Sequence, residues 1–319
     1  MSRRRQKRNQ QLYRDAQPSL FDSPADAGEE SVLHSLSDEF VAAPEKLRYM
    51  SFGSGSSGNC SYIGTPSCGI LVDAGVDNNY VMSQLAANSI DPESIVGILL
   101  THDHSDHVRY AYAILRRHKN MRLFATMKAF NGLLRRHSMS RRIKDYHTAI
   151  YKEFPFAAGA FTVTAFETSH DGTDNAGFFI ELGDKNIAVV TDTGTVTARA
   201  DHYMRQARNL MIEANYDADM LRNGRYPQHL KARIASTSGH LDNADTARYL
   251  AAVAATGLLR RVFLCHLSQD NNTPQKALST IRTELERAGV AVAASHFDDG
   301  RLHLEVLPRL EASDLVVLD

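Results

Sequence analysis

The chain of 319 residues contains no tryptophan and only three cysteines, Cys60, Cys68 and Cys265. An odd, unpatterned set of thiols offers neither a disulfide framework nor a cysteine-only zinc site, and it fits a reducing, cytoplasmic compartment. Long hydrophobic runs are also missing. The longest apolar stretch, Tyr249 to Leu259, is Ala-rich and falls short of the ~20 residues of a membrane span, so no membrane partner is expected. The opening MSRRRQKRNQ has no apolar segment behind it, which excludes a secretory signal. Nor does either sign of charge dominate: 36 Lys and Arg against 37 Asp and Glu leave a net charge of −1. Any nucleic-acid contact must therefore come from local basic patches. At ~100–200 residues per domain, the length allows one large domain or two modest ones.

What is present divides unevenly. Residues 1–46 lack apolar periodicity, basic from Arg3 to Arg14 and then acidic and small from Asp22 to Glu45, and are expected to form a disordered tail. From Leu47 to residue 319, short β-rich runs alternate with amphipathic stretches, the pattern of one α/β domain. Several apolar runs discharge into polar groups: Gly69 to Val72 into Asp73, Val96 to Leu100 into Thr101 and His102, Phe161 to Phe166 toward His170, Ile187 to Val190 into Asp192, and Val262 to Leu264 into His266. Strands that end this way line one rim of a sheet, where open α/β folds build their sites. A helix is predicted after His107, with Val108, Ala111, Tyr112 and Leu115 on one face. The clearest helix has Thr273 as N-cap, Pro274 in its first turn and Gly289 as its stop.

The richest stretch is Thr101-His102-Asp103-His104-Ser105-Asp106-His107. In extended chain, residues two apart face the same side, so His102 and His104 can serve one ion while Asp103 points away. Asp106 and His107 sit where the chain turns into the helix and can serve an adjacent second ion. This mixed N/O donor set suits zinc, manganese or iron.

HDHSDH, with His170 in TSHD, Asp192 in TDTG and His266 in CHLS, resembles the metallo-β-lactamase superfamily. SFGSGSSGN (51–59), LVDAG (71–75), SGHLDNAD (238–245) and HLSQDNN (266–272) resemble more closely its YycJ/WalJ-type branch, associated with DNA exonuclease activity. The resemblance covers about residue 47 to the C-terminus and implies a four-layered αββα sandwich. It implies two divalent ions, zinc or manganese: His102, His104 and His170 on one, Asp106, His107 and His266 on the other, with Asp192 bridging. Two ions ~3.5–4 Å apart need such an anionic bridge, and together they can activate a water to hydroxide and clamp attacking and leaving oxygens. Asp106 could also orient that hydroxide, and Asp73 is expected to orient a ligand without being one.

His240 resembles the extra histidine of the tRNA 3′-processing and β-CASP nucleases, which protonates the departing oxygen and is held by an upstream acid; Glu213 matches that acid in chain order. The alternative is that His240 only caps or precedes a helix beginning near Asn243. The Gly/Ser loop 51–59 is either a tight hairpin turn or, through Ser54, Ser56, Ser57 and Asn59, a phosphate- or metal-proximal element, and the resemblance favours the latter. Ser268, Asn271 and Asn272 are further candidate substrate contacts. Basic residues gather at 116–119, 135–144 and 222–233. The first group reads as a solvated face, and the other two as flanks of a backbone-tracking groove. Tyr146, Tyr151, Tyr216 and Tyr226 are either stacking or core residues. The β-CASP nucleases carry a long inserted domain for which this chain has no room.

In the tail, Gln17, Leu20 and Phe21 resemble the QxxLF peptide that docks bacterial repair proteins on the sliding clamp. The expectation is a dinuclear-metal phosphodiesterase acting on DNA, an exonuclease working 5′-to-3′ by resemblance. The alternatives are hydrolysis of a small cyclic phosphodiester or thioester, or a noncatalytic DNA- or clamp-binding adaptor, whose sign would be missing ligands.

Overall fold

The computed structural model describes residues 46–294 and 300–318, which belong to one compact unit. Two seven-stranded sheets form its middle. The first is assembled from β1 (Leu47–Gly53), β2 (Cys60–Gly64), β3 (Gly69–Val72), β4 (Ile95–Leu99), β5 (Arg122–Thr126) and β6 (His147–Ile150), with the C-terminal β14 (Val316–Leu318) returning beside β1. The second runs in order from β7 (Phe156–Ala158), β8 (Phe161–Glu167), β9 (Ala176–Leu182), β10 (Lys185–Val190) and β11 (Asn209–Glu213) to β12 (Arg261–Cys265) and β13 (His303–Val306).

Period-two alternation places the layers. In β10, Ile187 and Val189 join the apolar core between the sheets, while Ala188 and Val190 turn outward. In β1, Leu47 and Tyr49 face inward, and Met50 and Phe52 outward. Each outward face is covered by helices, as a strand buried on both sides requires. On the first sheet lie α1 (Asn78–Ala87), α2 (Ser105–Val108), α3 (Ala111–Arg117) and α4 (Met127–Arg136). On the second lie α5 (Ala198–Met204), α8 (Asn243–Ala254) and α9 (Pro274–Arg287), with α6 (Ala218–Asn223) and α7 (Gln228–Ile234) in the intervening connection. This is the expected four-layered αββα arrangement.

Most expected elements form within a residue or two of their expected ends. Thr273 caps α9 by accepting from the Lys276 N–H, and Gly289, at φ 78°, ends it. The helix expected after His107 is instead two short pieces, α2 and α3. The Tyr110 N–H donates to the Ala74 carbonyl 2.8 Å away, and this contact with the β3 connection interrupts the helix. No helix among the described residues is long and apolar enough to cross a membrane. Gln17, Leu20 and Phe21 lie outside the described residues.

Candidate metal centre

Strands β3, β4 and β5 pair in parallel, as do β10, β11 and β12. Their C-terminal ends deliver Asp73, Thr101 with His102, Asp192, Glu213 and His266 to one rim. Three of these residues, Asp73, Asp192 and His266, have left-handed backbones with φ of 61°, 41° and 54°. Such conformations cost roughly 1–3 kcal/mol each outside glycine and persist where the surroundings over-determine them. Here Asp73 and His266 directly follow β3 and β12, and Asp192 follows β10 after one residue.

Asp192 is central. Its Oδ2 lies 3.6 Å from His102 Nε2, 3.4 Å from His107 Nε2 and 3.5 Å from His170 Nε2, and its Oδ1 lies 3.1 Å from His266 Nδ1. His102, His104, His170 and Asp192 form one group able to hold a metal ion, and Asp106, His107 and His266 form another. Asp106 Oδ2 is 3.7 Å from Nε2 of both His107 and His266. A third group, Asp192, Glu213, His240 and His266, overlaps both the bridge and the second set.

Surrounding groups aim these side chains. Asp73 Oδ2 lies 2.7 Å from His107 Nδ1, and the Thr101 hydroxyl, which donates to Asp73, is 3.0 Å from His102 Nδ1. One carboxylate thus steadies two imidazoles, directly and through a threonine. Asp103 does point away: it accepts from the N–H and hydroxyl of Thr173 and pins the loop after His170. His170 Nδ1 sits 2.9 Å from the Gly239 carbonyl. Two fully buried side-chain atoms, His102 Nε2 and His266 Nε2, have no hydrogen-bond partner. A buried imidazole nitrogen without a partner is costly unless a cation takes its lone pair, so the donor set fits divalent metal.

The electrostatics agree. Burial lowers His102 and His104, aided by neighbouring histidines, and keeps both neutral as ligands must be. Burial also opposes charge on His107 and His266, but Asp192 and its fellow carboxylates outweigh it, holding His107 well above the ordinary histidine range and His266 at about 10. The buried carboxylates Asp73, Asp192 and Glu213, with the half-buried Asp106, therefore demand positive charge, which protons or divalent cations can supply.

Glu213 is fully buried, and its carboxylate has four neighbours. Oε2 accepts from the Thr193 and Leu241 N–H groups at 3.0 and 3.1 Å, and Oε1 lies 2.7 Å from His240 Nδ1 and 2.8 Å from His266 Nδ1. Burial disfavours a charged His240, yet Glu213 reverses this and raises its pKa. His240 does not cap α8; that position belongs to Asp242, whose carboxylate accepts from the Asp245 N–H.

The candidate substrate contacts separate. The Gly/Ser loop is a hairpin between β1 and β2, and it also reaches the cluster: Asn59 Nδ2 is 3.0 Å from His107 Nε2. Ser54 instead accepts from the His266 N–H, a tether for the β12 end, while Ser56 and Ser57 are exposed. Ser268 accepts from the Asn271 N–H. The Asn271 carbonyl accepts from the Asp217 N–H, and Asn272 is consumed by the Asn243 side chain and the Ala214 and Asn215 carbonyls. Tyr146 packs against the core, Tyr216 is buried, Tyr226 donates to Asp270, and Tyr151 is 68% exposed.

Two groups were not singled out from the sequence. Asp171 Oδ1 lies 3.4 Å from His104 Nε2 and 3.5 Å from His170 Nε2, and its Oδ2 accepts from Arg233 at 2.6 Å. Asn215 Nδ2 donates to the His266 carbonyl at 2.7 Å. The acid next to His170 was a visible signal for Asp171; nothing in the sequence marks Asn215. The opening over the cluster, a cavity of about 300 Å³, is flanked by Arg136 and Arg233.

Residues 69–267 match the family model of the beta-lactamase superfamily domain. Over 246 residues the chain is 32% identical to the exodeoxyribonuclease YycJ of Bacillus anthracis, covering 77% of this chain and 92% of that one. It is equally similar to the exodeoxyribonuclease WalJ of Streptococcus pneumoniae serotype 2, of which 91% is covered. The metallo-beta-lactamase fold protein YhfI of Bacillus subtilis superposes with a TM-score of 0.62 over 84% of this chain and 99% of that one, at 13% identity, a likeness of fold. The chain belongs to the metallo-β-lactamase superfamily, whose fold implies divalent-metal binding, and its relatives there are the YycJ and WalJ proteins.

Proposed function

We propose that the chain is a dinuclear-metal phosphodiesterase acting on nucleic acid, a DNA exonuclease, with the 5′-to-3′ direction that the family resemblance of its sequence implies. The observation that carries this reading is the Glu213–His240 pair beside the histidine–aspartate cluster, with 2.7 Å between Oε1 and Nδ1. Cleavage of a phosphodiester expels an alkoxide, which needs a proton where charge develops. Glu213 occupies Nδ1, so Nε2 is the atom left to carry that proton, and the raised pKa keeps it loaded.

In this reading His102, His104 and His170 hold one divalent ion, zinc or manganese, Asp106, His107 and His266 hold the other, and Asp192 serves both. When bound, the ions supply an activated water and positive charge against the phosphoryl oxygens. Asp106, half-buried at the mouth, orients the nucleophile. Asp73 and Thr101 hold the imidazoles to their task. Arg136 and Arg233 draw the phosphate chain to the opening, with Ser56, Ser57, Asn59 and Ser268 as candidate contacts. Because His102, His107, Asp192 and His266 are all buried, a phosphodiester must descend to them, which suits a strand end better than the middle of a duplex. The tail peptide Gln17, Leu20 and Phe21 would add docking on a sliding clamp.

The test is hydrolysis of end-labelled single- and double-stranded DNA and RNA after chelation, with zinc or manganese added back. DNA is expected to shorten from one end in a metal-dependent way, and Asp192→Ala to abolish hydrolysis. Full activity of the Asp192→Ala chain, or hydrolysis confined to small esters with no dependence on salt, would sink the reading.

A further inference from the structure

A row of three cavities leads away from the cluster. The opening flanked by Arg136 and Arg233 shares Ser105 and His137 with a second cavity of about 420 Å³, beside Arg109, Tyr112 and Arg116. That one shares Arg109 with a third of about 200 Å³, which lies against Ser57 and Gly58 of the Gly/Ser loop and ends at Arg309 and Leu310. Every compartment carries at least one arginine. Those nearest the cluster are partly answered, Arg233 by Asp171 and Arg136 by Asp103. Arg109 and Arg116 are exposed and make no ion pair with the described residues; the Arg109 guanidinium donates to the Ser57 carbonyl at 3.4 Å. In a chain of net charge −1, two unanswered guanidinium groups in one groove are a local field for an anionic polymer.

The geometry points to a single-strand track: we infer that the sugar–phosphate backbone of a nucleic-acid strand runs from the metal cluster across Ser105 and His137, along Arg116 and Arg109, to the Gly/Ser loop. This rests on the nuclease reading and deepens it by placing the part of the strand that is not being cut. Guanidinium groups suit phosphate because their planar fork offers paired donors. Contacts of this kind reach phosphate and not base edges, so the track would bind without regard to sequence. Arg116, which reads from sequence as part of a solvated face, is here a groove residue, whereas its neighbour Arg117 does not line the groove.

Steady-state kinetics on the full chain test this, with a long single-stranded oligonucleotide and with bis-p-nitrophenyl phosphate as a small ester. Arg109→Ala/Arg116→Ala is expected to raise KM for the oligonucleotide about a hundredfold, roughly tenfold for each lost charged hydrogen bond, with kcat unchanged. It should also lower the salt slope of binding by about 1.4, at ~0.7 per single-strand phosphate contact. Turnover of the small ester should stay at the wild-type value, which also shows that the variant is folded. Arg109→Lys/Arg116→Lys should restore most of the slope, and Arg117→Ala should change nothing. Unaltered KM and slope in the double alanine variant, or an equal effect from Arg117→Ala, overturns the track while leaving the nuclease reading intact. A wild-type chain that neither binds nor cuts the oligonucleotide overturns the track, and one that also leaves end-labelled duplex DNA and RNA uncut overturns both.

Discussion

His240 shows how much one side chain's environment decides. An exposed histidine would be mostly neutral at neutral pH, but Glu213 beneath Nδ1 raises its pKa despite burial. The same Glu213 oxygen also touches His266, so the carboxylate joins His240 to a residue of the histidine–aspartate cluster. The roles separate by experiment. His240→Ala should retain bound metal by elemental analysis yet lose turnover by roughly 10²–10⁴, the usual range for a general acid. Near-normal rates would remove the acid role, and lost metal would move His240 into the cluster itself. At this scale the sequence marked the candidate donors that the fold brings together, the HxHxDH run through its local spacing and His170, Asp192 and His266 through the family resemblance. It was silent about Asn215, whose contact with the His266 carbonyl joins segments far apart in the chain.

At the scale of elements, the site depends on how closely loops pass one another. The Asp106 carbonyl accepts from the Asn59 N–H and the His107 carbonyl from the Ala74 N–H, so three connections meet in one layer. Gly75 makes this possible: a Cβ there would collide with the Asp106 carbonyl oxygen. Gly183, in the β9–β10 turn, differs; it has φ 59° but open space around it. Gly183→Ala should therefore cost only the left-handed backbone penalty, about 1–2 kcal/mol in a denaturation curve, with activity intact. Gly75→Ala should cost about 1–3 kcal/mol by overpacking and also displace Asp106 and His107, so metal content and activity fall with the melting temperature. Equal behaviour of the two variants would contradict this account. Strand and helix positions were mostly legible because alternation and capping are local signals. The break between α2 and α3 was not, since it comes from the contact of Tyr110 with Ala74.

For the whole molecule, the near balance of charge conceals its distribution. Basic runs that look alike in sequence have different fates: Arg222 pairs with Asp219, Arg233 with Asp171 at the site mouth, and Arg116 makes no ion pair with the described residues. The tail belongs to this scale too. If Gln17, Leu20 and Phe21 dock on a sliding clamp, Leu20→Ala/Phe21→Ala should abolish clamp binding in a pull-down or calorimetric titration while hydrolysis of free DNA is unchanged; undiminished clamp affinity would retire the idea. By itself the sequence determined the α/β class and most strands and helices, because hydrophobic period and capping act over a few residues, while the αββα layering and the full set of candidate donors came from the family resemblance. Only the tertiary structure decided which carboxylate steadies which imidazole, that Ser54 and Asn272 are tethers, and that neighbouring cavities lined by arginines lie between the cluster and the Gly/Ser loop. Those outcomes depend on strand ends from both sheets converging at one rim, a long-range arrangement that local spacing does not encode.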